Sequence, residues 1–130
     1  WIPACAGMTG SRQKGVTMKI THYSFGRIVI DGQTYTSDVI IFPDYVNSLW
    51  WRKEGHLLQI ADLKDIVAAK LSVLIIGTGF FGTMRVPEET IDYLKSNKID
   101  IHIEYTQNAV KLYNEISSQK PTIAAFHLTC

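Results

Sequence analysis

The chain has 130 residues, 46% of them hydrophobic, 11% aromatic and 19% charged. That length makes one domain with a real core rather than two, and the aromatic content excludes a disordered chain. A formal net charge of +1 gives no general attraction to nucleic acid, membranes or acidic substrates.

Residues 1–17 read WIPACAGMTGSRQKGVT, with Arg12 and Lys14 and no acid. They show no apolar period, and Met18 then opens a strand-like run. The expectation is that Met18 is the natural start and that residues 1–17 are a non-native or mis-called extension. The segment lacks the basic start and apolar stretch of a signal peptide. Residues 18–130 read as a single α/β domain. Nothing approaches the roughly 18 apolar residues of a membrane span. Cys5 and Cys130 offer neither a disulfide framework nor zinc spacing, so a reducing, cytoplasmic setting is expected.

In chain order, Ile20–Phe25 alternates and Gly26 breaks it. Arg27–Ile30 is a short β-branched run, Asp31-Gly32 is a hairpin signal, and Gln33–Thr36 returns. Asp38–Phe42 is apolar on both faces, as in a buried central strand, and Pro43 ends it. Leu63, Ile66, Val67 and Leu71 keep helical spacing, which predicts a helix over 61–70, with Gln59 and Ala61 as poor caps. Ser72–Ile76 is a second buried strand. Pro87 at a first helical position, followed by Glu88 and Glu89, starts a helix to about Asn97. Ile99–Tyr105 is a strand. Thr106 caps a helix with the stripe Ala109, Leu112, Tyr113 and Ile116, and Thr122–Leu128 is the last strand. The order predicts a mixed, mostly parallel central sheet in a three-layer α/β sandwich, with helices on its faces and an N-terminal β-hairpin.

Gly77-Thr78-Gly79-Phe80-Phe81-Gly82 matches G-x-G-x-x-G after a strand, with Glu104 22 residues beyond Gly82. A dinucleotide fingerprint needs a helix to begin inside the glycine run, so that its N-terminus meets the pyrophosphate. Here the helix signal waits until Pro87, which argues against nucleotide binding. The glycines read as a tight loop whose N–H groups could hold a small anion. Trp50-Trp51-Arg52 is the second cluster. Trp and Arg are enriched in binding hot spots, so these three residues are candidates for a partner surface. The competing reading packs them on the rim, with Arg52 paired to an acid.

His127 and Cys130 form H-x-x-C. Two ligands are too few for structural zinc, and a terminal thiol paired with His127 makes a poor nucleophile. His22 and His102 read as structural, and Glu88-Glu89 suits a helix start. No catalytic residue, metal or cofactor is expected, and no basic stripe points to nucleic acid. If the last four strands are parallel, their carboxyl ends share one edge, where open α/β sheets bind ligands. His56, Gly77, Thr78, Gly79, Gly82 and Thr106 would meet there.

The set Ser24-Phe25-Gly26, Tyr35, Asp38–Pro43, Trp51-Arg52, Gly55-His56, Leu74–Gly79 and His127–Cys130 resembles the domain-of-unknown-function 498 family, also called the MTH-938-like domain. The resemblance runs from about residue 19 to 130. It implies a compact three-layer α/β domain and carries no established catalysis. Its members include mitochondrial complex I assembly factor 3, which implies a non-catalytic protein-binding or assembly role, of the respiratory-complex kind, with an unidentified protein partner. The alternative is a small-anion or nucleotide-binding protein or enzyme using the loop at 77–82. A homodimer through an edge strand of the hairpin is compatible with the sequence.

Overall fold

The computed structural model describes residues 18–50, 52 and 54–130. The expectations for residues 1–17 and for Trp51 lie outside the described residues. The described residues form two sheets, three α-helices and one 3-10 turn. The first sheet is antiparallel: β1 (Ile20–Ser24), β2 (Arg27–Ile30) and β3 (Gln33–Tyr35), in that order. Asp31 and Gly32, both at positive φ, form the β2–β3 turn, as the Asp-Gly signal predicts.

The second sheet has the order β5-β4-β8-β6-β7. Its strands are β4 (Val39–Ile41), β5 (Val46–Asn47), β6 (Val73–Gly77), β7 (Asp100–Glu104) and β8 (Ile123–Phe126). β8–β6 and β6–β7 are parallel, whereas β4–β8 and β4–β5 are antiparallel. The expected mostly parallel sheet is therefore evenly mixed. The sequence offers no long helical crossover before β4, so nothing forces that strand to run with the others. The two-residue β5 is too short to show in a hydrophobic pattern.

β4, β6 and β8 are buried along their whole length, and alternate residues serve two cores. Val39, Ile41, Ile75 and Phe126 pack with Ile28 and Ile30 of the small sheet and Tyr113 of α3 (Thr106–Ser117). Ile40, Leu74, Ile76 and Ala125 pack with Trp50, with Ile66 of α1 (Lys64–Ala68) and with Leu94 of α2 (Glu88–Ser96). Asn114 of α3 fastens the small sheet: its side chain accepts from Ile20 N–H at 2.9 Å and donates to Ile20 C=O at 2.7 Å.

Helix starts differ from expectation in instructive ways. A 3-10 turn at Ile60–Leu63 precedes the short α1. The Asp62 carboxylate accepts the Gln59 N–H at 2.9 Å, so the reciprocal half of a capping box replaces the missing cap side chain. Pro87 is the N-cap of α2 rather than its first residue. Tyr105, not Thr106, caps α3; the Thr106 hydroxyl is engaged elsewhere, at the site described next.

Candidate functional site

The carboxyl ends of β6, β7 and β8 share one edge of the sheet, because all three run parallel. β4 runs the other way, with Val39 opposite Phe126, so its amino end arrives at the same edge. That delivers Asp38 into a cluster with Arg52, His56 and His127. Sequence reasoning missed Asp38 as a site residue: its role depends on the antiparallel direction of β4, which no local pattern carries.

Asp38 is the hub. Its Oδ2 accepts from Arg52 Nη2 at 2.6 Å and from His127 Nδ1 at 2.8 Å, and its Oδ1 accepts the Leu128 N–H at 2.9 Å. Burial pushes the Asp38 carboxyl up, but the bonds from His127, Leu128 and Arg52 outweigh it and hold the group at about 2. An ionised carboxylate only accepts, so the His127 Nδ1 that meets it carries a proton. Arg52 Nη2 also lies 3.2 Å from His127 Nδ1. This is donor facing donor, tolerated because both share Asp38. Arg52 is anchored twice more: Nε and Nη2 donate to Gly55 C=O at 3.1 and 2.7 Å, and the guanidinium lies 4.5 Å over the Trp50 ring. The exposed His56 ring stands edge-on to His127, 5.2 Å between centroids.

Of the expected partner surface, Trp50 and Arg52 are buried, 9% and 8% exposed. They face inward because Asp38, Gly55 C=O and the sheet core supply their partners. Arg52 takes the acid-paired alternative.

The glycine loop is filled by the chain itself. Gly79 N–H donates to Thr106 Oγ1 at 2.9 Å, Phe80 N–H to Thr129 C=O at 2.6 Å and Thr83 N–H to Cys130 C=O at 2.8 Å. Thr78 N–H is taken by Glu104 C=O and Gly82 N–H by Gly79 C=O. Gly79 sits at φ +110°, and a Cβ there would collide with the Cys130 carbonyl. The run is glycine-rich so that the 129–130 backbone can lie against it. The Thr106 hydroxyl accepts from Gly79 N–H and donates to His127 C=O at 2.7 Å, tying the loop to the imidazole strand. Thus His56, Gly79, Thr106 and His127 do come together. These loop donors, however, serve the chain's own carbonyls and the Thr106 hydroxyl. Among the described residues no group of three His, Cys, Asp or Glu side chains is placed to hold a metal, and no helix is long and apolar enough to cross a membrane.

Beside the loop lies a feature that sequence reasoning passed over. Phe25, on the β1–β2 turn, stands 6.0 Å from Phe80 and 6.1 Å from Phe81, and Phe80 is 6.4 Å from Tyr23. Tyr105 packs on Gly82. Phe25, Phe81 and Tyr105 are 50%, 64% and 52% exposed. The adjacent Phe80-Phe81 was the available signal, overshadowed by its glycines. Tyr23 anchors the patch by donating to Leu128 C=O at 2.8 Å. Burial, with a smaller push from the Asp38 charge, raises its hydroxyl to about 12 despite a bond with Thr106, so it is a neutral donor.

Comparison with known proteins finds relatives in sequence and in fold. A zebrafish (Danio rerio) protein named NADH dehydrogenase [ubiquinone] 1 alpha subcomplex assembly factor 3 is 28% identical over 109 residues, covering 82% of this chain. The chain spans only 61% of that relative's length. The conserved hypothetical protein PH1505 from Pyrococcus horikoshii OT3 superposes with a TM-score of 0.75 at 26% identity, over 87% of this chain and all of the other. A Bordetella pertussis protein described as a Mth938-like domain shares the fold at a TM-score of 0.64 and 16% identity, over 95% of this chain and 92% of its own. The profile of the DUF498/DUF598 family, described as protein of unknown function, matches residues 20–128, and the chain belongs to that family.

Proposed function

We propose that this domain is a non-catalytic protein-binding or assembly factor that docks its partner through the aromatic patch of Phe25, Phe81 and Tyr105. The exposure of three large aromatic side chains on one edge carries the reading. Soluble domains rarely leave contiguous apolar surface without a use, and aromatic residues dominate interface hot spots. The patch is held rigid from behind, by Tyr23 on Leu128 and by Phe80 N–H on Thr129, so little order is lost on docking. The named role of the zebrafish relative, an assembly factor, supports the same reading, with a respiratory-complex subunit as the kind of partner.

The experiment is affinity capture from the native host with the wild-type chain and with a Phe25→Ser/Phe81→Ser variant. A protein recovered by the first and lost from the second, at unchanged thermal stability, is the expected result. Equal recovery by both, or recovery of only further copies of the chain, would overturn the reading.

A further inference from the structure

Arg52 and His127 each keep one nitrogen that the described residues do not use. Arg52 Nη1 and His127 Nε2 are buried and meet no hydrogen-bonding group among the described residues. The two side chains are only 4% and 6% exposed, and buried polar groups are normally satisfied. The nitrogens belong to side chains that touch through Nη2 and Nδ1 at 3.2 Å and share Asp38 Oδ2. The exposed ring of His56 stands against His127, 5.2 Å between centroids.

The two free atoms differ in character. Asp38 holds a proton on His127 Nδ1, so in the neutral ring Nε2 presents a lone pair. Arg52 Nη1 presents N–H donors on a fixed positive charge. A ligand that satisfies both must offer an acceptor and a donor side by side. Hydrogen phosphate does so, with an ionised oxygen for the guanidinium and a P–OH for the imidazole. We propose that Arg52, His127 and His56 form a binding site for a hydroxyl-bearing tetrahedral oxyanion, either inorganic phosphate or the phosphate group of a monoester. The site uses neither the rings of the aromatic patch nor the backbone donors of the glycine loop.

Proton bookkeeping gives the site its signature. The bound P–OH donates to Nε2. Where the proton crosses, the O–H bond breaks, an N–H bond forms, and an imidazolium lies between the anion and the Asp38 carboxylate. The Arg52 cation and the His56 ring also face His127, and the neutral Tyr23 phenol bonds the neighbouring Leu128 C=O. Anion binding therefore favours the imidazolium form of His127.

The test is a titration of the isotope-labelled chain with inorganic phosphate at constant ionic strength, read at the imidazole nitrogens by NMR. His127 Nε2 is expected to shift saturably in the millimolar range. His22 and His102, outside the cluster, serve as references and are expected not to follow. Methyl phosphate forms a second arm. Equal affinity assigns the site to the free ion, and tighter binding assigns it to the phosphate end of a larger molecule. Arg52→Lys keeps a charge for Asp38 but loses Nη1, and is expected to weaken binding on the order of tenfold. Should that variant fail to fold, the wild-type titration decides alone. A His127 shift that never saturates, that is absent, or that His22 and His102 share would overturn the proposal.

Discussion

Asp38 Oδ2 lies 2.8 Å from His127 Nδ1 although 89 residues separate the two in sequence. The contact exists because β4 and β8 are antiparallel neighbours, so the residue before one strand meets the residue after the other. It also determines what both side chains do. Asp38 stays ionised, His127 keeps its proton on Nδ1, and Arg52 has a counter-charge in a place where it would otherwise be stranded.

Asp38→Asn keeps the shape of the hub and removes its charge. Arg52 is then buried without a counter-ion, and the expected loss is about 3 kcal/mol of folding stability. Urea unfolding at neutral pH, with the slope of the transition unchanged, is the measurement. A loss below about 1 kcal/mol would show that solvent already screens the pair.

The same carboxylate predicts a pH dependence. Its folded value of about 2 lies below the ordinary 3.8, so the unfolded chain takes up its proton first. The stabilisation is complete above the ordinary value and is lost as pH falls through about 2. Wild type is expected to lose stability between roughly pH 4 and pH 2, and Asp38→Asn to show a shallower decline over that window. Parallel denaturant midpoints at stepped pH would decide it.

Most of the strand and helix order could be read from the sequence, because apolar runs such as Leu74-Ile75-Ile76 and the stripe of α3 report burial directly. Strand direction could not. A buried strand reads the same both ways, so β4 was free to be antiparallel and Asp38 to reach the edge. The glycine loop was recognised as a loop, but its occupant, the 129–130 backbone, lies about 50 residues away and leaves no local mark. Arg52 and Trp50 show the limit from the other side. Their residue types suit a binding surface equally well as a buried stacked pair, and only the position of Asp38 and Gly55 decides between them.

Gly79→Ala tests the occupant. Alanine resists φ +110°, and its Cβ would meet the Cys130 carbonyl. The variant is expected to lose about 2 kcal/mol or more and to release the bonds from Phe80 and Thr83 to residues 129 and 130. Hydrogen exchange at those two amides should accelerate well beyond that of the β6 core. Unchanged protection would show that the loop tolerates a side chain by shifting as a unit.

Thr106→Val isolates the hydroxyl that joins the glycine loop to the His127 strand. Valine fills the same buried space but leaves Gly79 N–H and His127 C=O without a partner, at an expected cost of about 2 kcal/mol. Thr106→Ser keeps the hydroxyl and loses a buried methyl group, at about 1 kcal/mol. Thermal melts of the pair separate hydrogen bonding from packing. If serine proved the more damaging of the two, the methyl group would matter more than the bridge.

The aromatic edge gives the last contrast. Phe126 is fully buried between β4 and β6 and packs on Tyr113, with ring centroids 6.4 Å apart, so Phe126→Ala is expected to cost about 4 kcal/mol. Phe81 is 64% exposed, and Phe81→Ser should change stability by no more than about 0.5 kcal/mol. A residue that can be removed without harm to folding, yet sits in a cluster of exposed rings, owes nothing to the core. Urea midpoints for the two variants measure the difference. A large loss with Phe81→Ser would mean that the patch holds the β1–β2 turn in place, and its exposure would then be a by-product of folding rather than a surface kept for a partner.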